Sequence, residues 1–155
     1  MASYTGTATA AHPQDDVWSY LADLRLIREW DPSVADARLV SGEPGKVGSR
    51  YELDVTFLGR TVTLAYETVL SEPPHRIVFA AETDALSVVD EALVLPLPEG
   101  SRATWNASLH LKGVRQVLEL PLRAAFARLG GKAEQGLRER LSEPMIAAAP
   151  PGAHP

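Results

Sequence analysis

Residues 49–70 read SRYELDVTFLGRTVTLAYETVL, and their alternation decides the fold. Tyr51, Leu53, Val55 and Phe57 fall on one face of an extended segment, while Arg50, Glu52, Asp54 and Thr56 fall on the other. Leu58-Gly59 makes a tight connection, after which Val62, Leu64, Tyr66, Thr68 and Leu70 continue the apolar face with Glu67 opposed to it. The spacing predicts a half-buried antiparallel hairpin whose inner face is apolar and aromatic.

Upstream, SYTGTATA at 3–10 alternates loosely and predicts a first strand, stopped by His12-Pro13. Asp15 and Asp16 put negative charge where a helix dipole favours it, and Val17, Leu21 and Leu24 share a helical face. A helix from about 14 to 22 follows, then a second short one from Leu24 to Trp30, ended by Asp31-Pro32 because a residue before proline leaves helical geometry. Ala37 to Val40 begins the next strand, and GEPGKVG at 42–48 is a turn.

Downstream of the hairpin, Glu72-Pro73-Pro74 breaks the chain before a strand at 76–83, with Ile77, Phe79 and Ala81 on one face and Val78, Ala80 and Glu82 on the other. Residues 86–97 are apolar on both faces except at Asp90 and Glu91, so their inward phase is open. Pro98-Glu99-Gly100 turns into a strand in which Trp105, Ala107, Leu109 and Leu111 alternate with Thr104, Asn106, Ser108 and His110. A final helix is predicted over 116–142 from the stripe Leu118, Leu122, Ala125 or Phe126, Leu129, Ala133, Leu137 and Leu141. Pro121 either kinks an initial turn or sits in the first turn of the main helix. Gly130, Gly131 and Gly136 each cost about 1 kcal/mol in a helix interior, so a packing reason is expected. The expectation is that they leave space between helix and sheet, where a ligand could sit.

The order of elements predicts an α+β fold: a curved antiparallel sheet of about six or seven strands wrapped against a long C-terminal helix, with two short helices after the first strand. One domain over 1–143 and a disordered tail over 144–155 are expected. The chain has 155 residues, of which 45% are apolar, and no cysteine, which excludes disulfides, thiolate nucleophiles and thiolate metal sites. A net charge of −5 disfavours nucleic acid and anionic lipid as partners. No run approaches the roughly 20 apolar residues of a membrane span, and the N-terminal residues lack a signal-peptide pattern; a soluble cytoplasmic protein is expected. The oligomeric state is not readable.

Several superficial motifs carry nothing. His12, His75, His110 and His154 are scattered, so no metal site and no cofactor is expected. Gly45-Lys46 is followed by Val47 rather than Ser or Thr, which rejects a phosphate loop. Asn106-Ala107-Ser108 lies in a strand. Arg123, Arg128, Lys132, Arg138 and Arg140 alternate with acids on the last helix as a solvated face does, with membrane docking as the minor alternative.

HPQDDVWSYLADL at 12–24, IREWDP at 27–32, VGSRYEL at 47–53, LSEPPHRIVF at 70–79 and LKG at 111–113 resemble the polyketide cyclase/dehydrase and lipid-transport members of the SRPBCC (START and Bet v 1-like) superfamily over residues 3–142. The resemblance implies a helix-grip fold with a deep, largely apolar cavity between sheet and final helix. Its occupants would be lipids, polyketides, sterols, hormones or aromatic compounds, with or without chemistry. It carries over no catalytic residue, since fold does not select among these activities.

The faces therefore name the candidates. Leu53, Val55, Phe57, Leu64, Ile77, Phe79, Leu93, Trp105 and Leu109 would line the cavity from the sheet, and Phe126, Leu129 and Gly130 from the helix; alternatively these residues fill a core. Trp30 would stand at the mouth as a gate or lid anchor. Glu91 would be enclosed if the phase that turns Val89, Leu93 and Leu95 inward holds, and could then serve as a general acid or base; the alternative puts Asp90 inside or leaves both acids near an exposed edge. Tyr51 and Tyr66 would donate to a ligand carbonyl or satisfy their hydroxyls at the core boundary. These readings give a binder of a hydrophobic small molecule, a polyketide cyclase or dehydratase using a buried carboxylate or tyrosine, or a non-catalytic interaction module.

Overall fold

The computed structural model describes residues 1–113, 117 and 119–144. Seven strands form one antiparallel sheet in the order β1-β7-β6-β5-β4-β3-β2. β1 (Ala2–Ala10) and β2 (Val34–Ser41) are its edges, joined by α1 (Gln14–Leu21) and a 3-10 helix (Leu24–Glu29). Between them lie β3 (Arg50–Phe57), β4 (Arg60–Glu72), β5 (Arg76–Glu82), β6 (Leu86–Leu97) and β7 (Gly100–Leu111), and α2 (Glu119–Ser142) closes the order. This is the helix-grip architecture that the sequence predicts. Pro121 occupies the first turn of α2, where its missing donor costs little. Leu118 and the tail expected beyond Pro144 lie outside the described residues.

The β3–β4 hairpin has the register that its alternation requires, with Tyr51 opposite Tyr66 and Leu53 opposite Leu64. Leu58 (φ 53°) and Gly59 (φ 76°) form its two-residue loop, both left-handed, a geometry that matches the twist of the flanking strands. A bulge after Thr68 pairs Leu70 with Val78, out of step with the inner residues, so the inner face of β4 ends at Thr68 rather than continuing to Leu70. Bulges in β2 and β4 bend the sheet around the helix.

α2 docks along β1, one of the two edge strands. Thr7 N–H donates to Glu134 Oε2 at 2.8 Å, and Arg138 Nε donates to the Thr7 carbonyl at 2.9 Å, so two helical side chains satisfy an edge backbone that would otherwise invite another strand. The glycines of α2 do not make room for a ligand, contrary to the expectation. A Cβ on Gly130 would run into the Tyr4 ring, and one on Gly136 into the Trp30 carbonyl; both residues let the helix approach its neighbours closely. Gly131 faces outward with nothing near it.

Because α2 is drawn to the β1 side, the inner face of β3 and β4 is left without a helix over it. Further along the inner face, Trp105 stacks on Phe79 with ring centroids 6.2 Å apart and meets Trp30 edge-on at 4.9 Å. Phe79 also meets Tyr51 at 6.3 Å. This aromatic cluster fills that part of the interior; the space under β3 and β4 stays open.

Candidate functional site

The open space is a cavity of about 440 Å³. Leu53, Val55 and Phe57 of β3 with Val62 and Leu64 of β4 form one wall; Phe126 and Leu129 of α2 form the other. Phe126 reaches Phe57 at 6.2 Å and Tyr4 at 5.1 Å between ring centroids, so one helical side chain bridges to both halves of the sheet. Ile27, Ser33 and Val34, flanking the bend after the 3-10 helix, close the floor, and Arg60 lines the cavity from the hairpin end of β4. Among the described residues the Arg60 guanidinium has no ion pair or hydrogen bond.

Besides Arg60, four ionisable side chains interrupt this apolar lining: Tyr4, Asp31, Tyr66 and Asp90. Register explains two of them. Tyr4, Ala107 and Asp90 stand side by side on β1, β7 and β6, and the small Ala107 leaves space between the phenol and the carboxyl. Tyr66 approaches from β4 and turns its hydroxyl toward Asp90, favouring the charged carboxylate. Burial outweighs that help: Asp90 is 6% exposed, and desolvation, reinforced by the nearby Asp31 charge, pushes its pKa up to about 7. Asp31, 5% exposed, is raised as well by burial, although its Oδ1 accepts from Ser33 N at 2.9 Å and Ser33 Oγ at 2.7 Å. Burial also raises both phenols, Tyr66 well above its usual value, with the two carboxylates adding to the effect.

Glu91 is not in this group. β6 runs in the phase that buries Val88, Asp90, Ala92 and Val94, so Glu91 and Leu93 lie on the outer face. There Glu91 Oε2 accepts from Arg76 Nε at 2.6 Å and Oε1 from Asn106 Nδ2 at 3.0 Å, a solvent-side ion pair with nothing to do with the cavity. Of the other expected residues, Leu53, Val55, Phe57, Leu64, Tyr66, Leu109, Phe126 and Leu129 line the cavity. Ile77, Phe79, Trp105 and Tyr51 are core instead, and the Tyr51 hydroxyl is enclosed without a well-formed hydrogen bond. Trp30 is a wedge between sheet and α2 rather than a gate, being 4% exposed and packed on Trp105. Gly130 is spent on the Tyr4 contact.

Asp90 was legible in principle. A two-residue loop at Pro98-Glu99 pairs Leu97 with Gly100, and counting back places Ala92 opposite Trp105 and Asp90 opposite Ala107. Once Trp105 is inward, Asp90 follows. Asp31 reads in the sequence only as the residue that ends a helix, and nothing local marks it as buried. A second hollow, of about 510 Å³, lies on the outer face between the charged Arg50, Glu52, Glu67 and Glu82; it contains none of the buried acids. No described helix is long and apolar enough to cross a membrane.

The sequence profile of the family described as polyketide cyclase / dehydrase and lipid transport matches residues 1–142. No curated protein matches the chain. Among solved structures, it is similar to the ZhuI aromatase/cyclase from Streptomyces sp. R1128 (15% identity, 90% of this chain and 92% of that one, TM-score 0.74). A START superfamily protein from Mycobacterium smegmatis is similar at 13% identity over 91% and 97% of the two chains, TM-score 0.74. Major latex-like protein 151 from Panax ginseng shares 15% identity over 92% and 98%, TM-score 0.62. At these identities the likeness is one of fold.

Proposed function

Because this chain belongs to the polyketide cyclase/dehydrase and lipid-transport family, we propose that it binds a hydrophobic small molecule in the cavity between α2 and the inner face of β3 and β4. The observation that carries this reading is the helix's attachment to the β1 edge, which leaves an apolar wall uncovered around about 440 Å³. A volume of that size with a few polar groups is what ligand sites have in common. Burying about 250 Å² of apolar ligand surface contributes roughly 6 kcal/mol before association costs, so shape alone gives weak affinity and the polar groups decide selectivity.

Binding is tested with 1-aminoanthracene, whose fluorescence rises in apolar surroundings. Wild-type protein should take up the dye, and Ala107→Leu, which fills the space between Tyr4 and Asp90, should take up several-fold less with an unchanged circular dichroism spectrum. Equal uptake by both proteins would place the dye elsewhere and remove the cavity from the account.

A second reading is favoured by Asp90 and Tyr66. A carboxyl held near pKa 7 beside a phenol can take a proton from a carbon next to a carbonyl and return one to a departing hydroxyl, which is the work of a cyclase or dehydratase. Its test is deuterium exchange at the acidic positions of 2-tetralone, followed by NMR. Wild-type protein should accelerate the exchange and Asp90→Asn should not, while dye uptake stays within a factor of about three; acceleration surviving in the variant would refute a role for Asp90.

A further inference from the structure

The polar side chains of the cavity do not accept every ligand equally. Resting on the reading of the cavity as a ligand site, we infer that the end of the cavity formed by Tyr4, Asp31, Tyr66 and Asp90 is a subsite for a neutral hydroxyl group, phenolic, enolic or alcoholic, and that it rejects carboxylates.

Charge comes first. Two carboxyls line the same cavity, and the Asp31 charge makes ionisation of Asp90 harder. A ligand carboxylate placed there would be a third negative group with no cation to meet it, since Arg60 is the single basic side chain in the lining and stands at the hairpin end of β4. Six steps along the strand separate Arg60 from Tyr66, roughly 20 Å at the rise of an extended chain. An anionic head would therefore be driven from the acidic end and held at the Arg60 end.

Hydrogen-bond inventory then separates hydroxyls from other donors. Asp90 supplies acceptor oxygens and Tyr66 already addresses it. The Tyr4 hydroxyl makes no hydrogen bond to another described residue, yet its ring lines the cavity and its phenol lies within electrostatic reach of Asp31 and Asp90. A hydroxyl donates to a carboxyl and accepts from a phenol at once; an ammonium cannot accept, and a carboxylate cannot donate. Ser33 is committed to Asp31, and the other neighbours, Val88, Ala107 and Leu109, are apolar and offer no competing partner.

The test compares naphthalene, 2-naphthol and 2-naphthoate as competitors of 1-aminoanthracene at pH 8, in wild type, Asp90→Asn and Arg60→Gln. A hydrogen bond to a charged group predicts that 2-naphthol binds about tenfold or more tighter than naphthalene in wild type and in Arg60→Gln. 2-Naphthoate should be weaker than 2-naphthol by a similar factor, and weaker still in Arg60→Gln, where it loses the only cation. In Asp90→Asn the preference for naphthol over naphthoate should shrink several-fold, because the amide offers a donor and carries no charge. Naphthoate binding as tightly as naphthol in Arg60→Gln, or an unchanged preference in Asp90→Asn, overturns the subsite while leaving the cavity reading intact. If none of the three competes, the cavity reading itself fails.

Discussion

Asp90 stands on the buried face of β6 between Val88 and Ala92, with Tyr4, Asp31 and Tyr66 as its polar neighbours. The consequence for stability has a definite sign. Unfolded, the side chain titrates near 3.8; folded, near 7. Below the lower value it is neutral in both states, and above the upper value the folded protein bears a buried charge. Stability from the neutral carboxyl is thus complete only below about pH 3.8, declines as pH rises and is lost by about 7, a total of up to about 4 kcal/mol for a shift of this size, of which roughly half falls between pH 5.5 and 8.5. Asp31 acts in the same sense. Urea unfolding should show wild type weaker at pH 8.5 than at pH 5.5, with much of that difference gone in Asp90→Asn; identical pH dependence in the two would show that the cost lies elsewhere. Leu58 bears a different local cost. Its left-handed backbone disfavours a branched, exposed side chain, and Leu58→Asn should raise stability by about 1 kcal/mol in the same assay. Neither residue announces itself by type: Asp90 needs the β6–β7 register to be counted, and Leu58 needs the loop geometry.

At the level of elements, the alternation of β3 and β4 and the stripe of α2 were readable because each has one buried face and a period that fixes it. β6 was not, because Val89, Leu93 and Leu95 give its outer face nearly as much apolar character as its inner one. Both Val89 and Leu95 are in fact exposed, so hydropathy misleads there. The glycines of α2 were visible but their purpose was not, since propensity says only that each is costly and a partner from a distant element supplies the reason. Adjacent positions now make opposite predictions. Gly131→Ala meets open space and should stabilise the protein by about 1 kcal/mol through helix propensity. Gly130→Ala drives a methyl into Tyr4 and should destabilise it by about 1–3 kcal/mol, read as opposite shifts in melting temperature. Shifts of the same sign would mean that α2 does not sit against Tyr4 as described.

Across the whole molecule, what the sequence withheld is where the helix lies on the sheet. The order of elements implies a helix against a curved sheet; it does not say that the helix leans toward β1, and the cavity exists because it does. That lean rests on pairings such as Thr7 with Glu134, 127 residues apart in the chain. On a ribosome, β1 is made first and α2 last. Until α2 emerges, the edge of β1 has no helical side chains to satisfy it and part of the apolar inner face lacks its cover, so closure waits for α2. A nascent chain halted before residue 119 would carry an open, adhesive sheet, and the protein's dependence on chaperones should be concentrated in that interval of its synthesis.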